Sequence, residues 1–178
     1  MDNEALKQKR TPEKNELIDD NARKFIVEEL DEVLLDASGT VSFVLTTDWL
    51  ETNDDSETKL AHKLFDSGDV QILLIKKVTN SCKRESEKHN ITDEEYRELL
   101  AGSVLRVQKK RFEFNYAQSG IDFSMKYDRF SESNLRILEV DASSDEDRGV
   151  FDPNAFSGKL VEVTGDMRYY GYRVAGLT

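Results

Sequence analysis

Cysteine is nearly absent: Cys82 stands alone in 178 residues. A single thiol excludes an intrachain disulfide and a metal site built on several cysteines. A reducing compartment is the simplest home, so the expected location is cytoplasmic. Long apolar runs are missing too. No stretch approaches the roughly 20 residues of a membrane-spanning helix, and Met1 to Asp20 is charged throughout, unlike a secretory signal. The two histidines, His62 and His89, read as surface side chains rather than a catalytic base. Positive charge is also in deficit. Lys and Arg number 25 against 36 Asp and Glu, a net charge of −11. That argues against a general nucleic-acid or acidic-membrane binder, since both need a basic face. It leaves a local basic pocket open.

What is present is a polar but foldable chain. Apolar residues make up 38% and charged residues 34%, yet nine Phe and six Tyr rule out wholesale disorder. The length suits one domain with one sizeable core. Residues 1–18 carry no apolar periodicity and read as a mobile tail, leaving 19–178 as the domain. A short strand is expected over Asp20–Val27, then a helix from about Glu28 to Asp36 before Gly39. From Val41 the pattern turns to strands: Val41–Thr47, Glu57–Phe65, Val70–Val78 and Lys83–Lys88. Asp66-Ser67-Gly68-Asp69 reads as a hairpin loop. Thr92-Asp93-Glu94-Glu95 matches a capping box, with Ile91 and Tyr96 as its staple and Gly102 as its stop. Strands follow at 103–116, 120–130 and 134–142, then a polar loop at 143–149 and a last strand near Leu160–Tyr172. About eight strands with two clear helices predict a mainly β fold (α+β), an antiparallel sheet or closed barrel with a few flanking helices.

The charges follow the strand period, in which residues i, i+2 and i+4 share a face. Lys109 shares one with Arg111, Glu139 with Asp141, and Lys59 with Lys63. Lys83 shares one with Glu85 and Glu87, and Asp20 with Lys24 across Ala22. Leu60, Leu138 and Val140 occupy intervening positions that suit a core. On an ordinary antiparallel sheet such a charged face is simply solvated. On a barrel it can turn inward, where Lys and Arg neutralise phosphate oxygens and carboxylates hold Mg²⁺ or Mn²⁺. Trp49, ahead of a polar run, reads as a loop residue that packs or caps a mouth.

In this light the chain resembles the CYTH domains, or triphosphate tunnel metalloenzymes. Glu162-Val163-Thr164-Gly165-Asp166-Met167-Arg168-Tyr169 looks like the family's EVTGD-x-RY ending, after a Phe/Pro stretch at Phe151-Asp152-Pro153. Ile137-Leu138-Glu139-Val140-Asp141 looks like its LEVE strand and Tyr127-Asp128-Arg129-Phe130 like LDRF. Val107-Gln108-Lys109-Lys110-Arg111-Phe112 is similar to I-x-K-x-R-Y, and Lys83-Arg84-Glu85-Ser86-Glu87 to RxExE. Ile91-Thr92-Asp93-Glu94-Glu95-Tyr96 is similar to the helix that follows, and Leu74-Ile75-Lys76 sits where the family has T-x-K. The ExExK signature is degenerate: Asp20 and Lys24 stand at its first and last positions, but Ala22 replaces the second Glu.

The resemblance implies an eight-stranded antiparallel barrel, open at both ends, with a triphosphate-containing small molecule in its tunnel. Lys24, Lys59, Lys63, Lys76, Lys83, Lys109 and Arg111 are then the phosphate-binding candidates, with Lys24 and Arg111 in catalytic roles. Asp20, Glu85, Glu87, Asp128, Glu139 and Asp141 are the candidates for holding Mg²⁺ or Mn²⁺. Glu162 and Arg168 would close the barrel end. The implied activity is metal-dependent triphosphate hydrolysis; the alternative is a module that binds triphosphate without turnover, because Ala22 removes a metal ligand. No nucleic acid or membrane partner is expected, and a homodimer is compatible with the reading.

Overall fold

The computed structural model describes residues 22–80 and 83–178, the side chains of 79, 80, 83 and 84 excepted. Asp20, Cys82 and the tail expected over 1–18 lie outside the described residues. The strands are β1 Arg23–Leu30, β2 Val41–Thr52, β3 Ser56–Phe65, β4 Val70–Asn80, β5 Lys83–Asn90, β6 Leu105–Gln118, β7 Ile121–Phe130, β8 Arg136–Asp141 and β9 Gly158–Glu162. Two short helices interrupt them, α1 Asp93–Leu100 and α2 Asp145–Val150. Short 3₁₀ segments sit at Glu32–Leu35, Pro153–Ala155, Met167–Tyr169 and Gly171–Leu177. No helix among the described residues is long and apolar enough to cross a membrane.

The nine strands form one antiparallel sheet in the order β5-β4-β3-β2-β6-β7-β8-β1-β9. The mainly β, antiparallel expectation is met, with nine strands among the described residues rather than eight. Their hydrogen bonds do not close the expected barrel, and β5 and β9 stand at the two ends of the strand order. The sheet nevertheless curls, because one cavity is lined by side chains from strands as far apart in that order as β5 and β1.

Alternation along the strands gives the sheet two contrasting faces. In β7, Phe123, Met125 and Tyr127 point outward with no exposed surface, while Lys126, Asp128 and Phe130 point into the cavity. The outward residues join Phe25, Val27, Phe114, Leu138 and Val140 in the main core. That core is covered by Leu35, Phe151 and Phe156 from the intervening segments. Phe151 meets Phe25, Phe123 and Phe156 edge-on at centroid distances of 5.6, 5.4 and 5.8 Å. Burying each such ring contributes roughly 1.5–3 kcal/mol. The main core therefore lies outside the curl, while the inside combines charged side chains with smaller apolar clusters such as Leu45, Ala61, Leu73 and Ile75.

Local chemistry explains the turns. Ser119 and Gly120 both have positive φ, 55° and 78°, the combination a two-residue type I′ hairpin demands between β6 and β7. Gly68, at φ +92°, turns the expected Asp66–Asp69 loop. Helix α1 opens with the expected capping box, Thr92 Oγ1 accepting from the Glu95 amide at 3.2 Å while Glu95 accepts from the Thr92 amide at 2.7 Å. Its Tyr96 hydroxyl donates to Asp48 at 3.1 Å, and Arg106 Nε donates to the same carboxylate at 2.6 Å. Asp48, 1% exposed, thereby ties α1 to β2 and β6.

Four local expectations change. The helix expected over Glu28–Asp36 shrinks to one 3₁₀ turn, because Glu29 and Leu30 continue β1 and pair with Lys159 and Gly158 of β9. The loop at 143–149 contains α2, whose N-cap Ser144 accepts from the Asp147 amide at 3.0 Å. The last strand ends at Glu162 rather than Tyr172. Thr164 Oγ1 there accepts from the Lys24 amide at 2.9 Å, and Gly165 takes φ +83°, so the chain turns into 3₁₀ segments. Trp49 is not in a loop, since β2 runs on to Thr52.

Candidate functional site

The inner face of the curled sheet encloses a cavity of about 260 Å³. Among the described residues, eight cationic side chains line it against three carboxylates. Lys59 and Lys63 come from β3, Lys77 from β4 and Lys88 from β5; Lys24 comes from β1, Lys109 and Arg111 from β6, and Lys126 from β7. The carboxylates are Glu113, Asp128 and Glu139. In a chain whose net charge is −11, such a concentration of positive charge in one concave site attracts anions.

Asp128 is the electrostatic centre, with 1% of its surface exposed. Its Oδ1 accepts from Arg111 Nε at 2.7 Å, and its Oδ2 accepts from Arg111 Nη2 at 2.7 Å and from Lys109 Nζ at 2.5 Å. Burial works to raise the Asp128 carboxyl, but Arg111 and Lys109 overcome it and hold it below the ordinary carboxylate range. Burial likewise opposes the Glu139 charge. Lys24, 3.2 Å away, then Arg111 and Lys109, hold Glu139 well below its usual value. Burial, helped by neighbouring Arg111, pushes the Lys109 ammonium down despite Asp128 and Glu139. Arg111 keeps its charge under all ordinary conditions.

A second group of cations stands across the cavity. Lys63 lies over the Phe43 ring at 5.1 Å. Burial lowers its ammonium pKa; Glu113 opposes that, and Arg111, Lys88 and Lys126 add to it. Lys63 and Lys126 have no ion-pair partner among the described residues. Four cations close enough to depress one of their number form a seat that a polyanion relieves.

The cavity is asymmetric, which corrects the expectation of a tunnel open at both ends. Val174, in the last 3₁₀ segment, packs with Trp49, Val107, Phe130 and Ile137 into a buried apolar cluster at one end. Tyr169 and Tyr172 back that cluster. Lys24 is fixed beside it, donating to the Tyr169 carbonyl at 3.1 Å and lying 3.9 Å from the Tyr170 ring centroid. The apolar end therefore leaves the Lys63 and Lys126 side as the polar wall.

The structure distributes the other sequence-named residues unevenly. Lys24, Lys59, Lys63, Lys109, Arg111, Asp128 and Glu139 line the cavity. Lys59 also donates to the buried carboxylate of Glu57 at 2.7 Å. Lys76 does not: it is exposed and pairs across the ladder with exposed Glu87, placing both on the outer face. Lys77 takes the inward position. Glu85 shares the outer face with Glu87, so neither carboxylate joins Asp128. Asp141 accepts from Arg148 at 2.9 Å and does not line the cavity. The side chain of Lys83 and all of Asp20 lie outside the described residues. Glu162 binds Arg23 through both oxygens at 2.9 Å, joining β9 to β1, while Arg168 stays local on Asp166. Sequence reasoning missed Lys77, Lys88, Lys126 and Glu113. A strand pattern with Leu73 and Ile75 facing Lys59 to Lys63 was the available signal for Lys77; Lys126 alternates with the outward Met125 and Tyr127.

Asp128 and Glu139 offer hard oxygen donors of the kind Mg²⁺ and Mn²⁺ take. The described residues nonetheless do not fit a resident divalent ion. Both Asp128 oxygens already accept from Lys109 and Arg111, Glu139 is paired with Lys24, and no group of three His, Cys, Asp or Glu is placed to share one ion.

Fold and site together define an antiparallel sheet curled around a cation-lined cavity. Two solved structures share that fold, one titled the hypothetical protein NE1496 and one the inorganic triphosphatase NE1496. Each aligns with a TM-score of 0.59 at 23% identity, over 86% of this chain and 95% of the other. No family model and no curated protein matches the chain.

Proposed function

We propose that the cavity binds a triphosphate, inorganic or carried on a small organic group, and that the chain is a triphosphatase-type hydrolase of the CYTH kind. The observation that carries this reading is the excess, among the described residues, of eight cations over three carboxylates around one small cavity. A triphosphate supplies several closely spaced negative oxygens, and charge-assisted hydrogen bonds to Lys and Arg are the strongest available in such a site. Arg111, oriented by Asp128, and Lys24, oriented by Glu139 and Tyr169, are the groups best placed to meet charge that develops on a transferring phosphoryl group. Any Mg²⁺ or Mn²⁺ that turnover requires would be held by the oxygens of the bound phosphate rather than by the protein, and would supply charge neutralisation there.

The fold of the inorganic triphosphatase NE1496 supports the same reading. Saturation of Asp128 by two cations favours a second one, a module that binds triphosphate without turnover. Phosphate release from tripolyphosphate, ATP and thiamine triphosphate, with Mg²⁺ or Mn²⁺ titrated, separates the two. Turnover of any substrate establishes the hydrolase; tight binding with no release establishes the module. Tripolyphosphate affinity left unchanged by both Lys109→Ala and Arg111→Ala would sink the cavity assignment itself.

A further inference from the structure

We infer that the cavity holds its polyphosphate through side-chain cations alone, so that the metal-free anion is the species bound. The inference rests on the triphosphate reading above and concerns binding, not turnover.

Three observations carry it. First, the two deepest carboxylates are committed: Asp128 to Arg111 and Lys109, and Glu139 to Lys24. A dication shared by the two would have to displace Lys109 or Arg111 from Asp128 and compete with Lys24 at Glu139, leaving a buried cation without its partner, which is costly. Second, the field inside the cavity is already positive, eight side-chain cations against three carboxylates. Adding two more positive charges to that field is opposed, whereas adding a bare polyanion is favoured. Third, Lys63 and Lys126 stand on the wall with no ion-pair partner among the described residues, beside Arg111 and Lys88. Those positive charges do for phosphate oxygens what a bridging metal does elsewhere. Complexation by Mg²⁺ reduces the anion's charge and so reduces what this wall has to hold.

Trp49 is the chain's single tryptophan and lies in the cavity wall, so its emission reports on the site. The test titrates the full chain with sodium tripolyphosphate, once in EDTA and once with Mg²⁺ in excess of the anion. Trp49 fluorescence and calorimetry are read in parallel. The expected result is a Kd in EDTA equal to or tighter than the Kd with Mg²⁺. Lys126→Gln, a change at the wall, should weaken the EDTA binding by roughly tenfold. A Kd in EDTA more than tenfold weaker than with Mg²⁺ overturns the inference and leaves the triphosphate reading intact. An unchanged Kd for Lys126→Gln also overturns it, because the wall then does not hold the anion. No binding in either buffer removes the triphosphate reading along with it.

Discussion

Replacing Asp128 by Asn keeps the shape of the side chain and removes the charge on which Lys109 and Arg111 converge. Breaking one side of a buried ion pair costs about 3–5 kcal/mol when the stranded charge has no recourse. Here Lys109 and Arg111 keep 16% and 14% of their side-chain surface open to the cavity, and Glu139 lies near both. Cavity water and Glu139 compensate in part, so the expected loss is about 2–4 kcal/mol. For a domain of this size each kcal/mol shifts Tm by roughly 2–4 °C, giving a drop of about 4–16 °C. The loss depends on pH in a defined direction. The Asp128 carboxyl is held below its unfolded value of about 3.9, so its stabilisation is complete above that value and disappears as pH falls through the folded one. The gap between Asp128→Asn and the parent chain should be full from about pH 5 upward and begin to narrow only below about pH 4. Tripolyphosphate should raise the Tm of the variant more than that of the parent at equal concentration, because the anion meets two cations released from their carboxylate. Differential scanning calorimetry across pH 3–8, with and without ligand, reads all of this. A variant melting within about 1 °C of the parent at pH 7 would refute the assignment of Asp128 as the charge that organises the site.

Other perturbations have equally direct readouts. Lys63 is depressed by burial and by neighbouring cations, so tripolyphosphate affinity should begin to fall with rising pH below the ordinary lysine value of about 10.4; Lys63→Met should shrink that limb of the affinity–pH profile, leaving the part that the likewise depressed Lys109 contributes. A Cβ at Gly158 would stand 2.5 Å from the Glu29 carbonyl oxygen, so Gly158→Ala should cost about 1–3 kcal/mol in urea unfolding by forcing β9 off β1. Thr92→Ala removes one half of the α1 capping box and should cost about 1 kcal/mol, with cavity ligand binding unchanged. A larger loss of binding would show that α1 supports the cavity more directly than the Asp48 contacts indicate.

The alternation of side chains is legible in the residue pattern alone, and it settles much of the site. Lys109 and Arg111 on one face, and Lys59 on one face with Lys63, were legible because a strand offers only two sides, whereas Asp141 keeps the face of Glu139 but lies beyond the cavity on Arg148. The capping box at Thr92 and the turn at Gly68 were legible because local backbone chemistry makes them. Which face turned inward was not local. On β4 and β5 one step of register decides it: Lys77 rather than Lys76 entered the cavity, and Glu85 and Glu87 went outward, because the pairing of the two strands sets Lys76 opposite Glu87 on the outer face, a register no local pattern fixes. Lys126 could not be chosen from its own segment, since only the outer aromatic core formed by Phe123, Met125 and Tyr127 commits its neighbours outward. The closed end depended on tertiary packing as well. Nothing local in Gly171–Leu177 required Val174 to seat on Trp49 and Phe130; that follows from where β9 stops and the chain turns back over the strands. Residue types and their period thus fixed the charge row. Only long-range strand pairing decided which of its members face a common ligand and that one end of their cavity is shut.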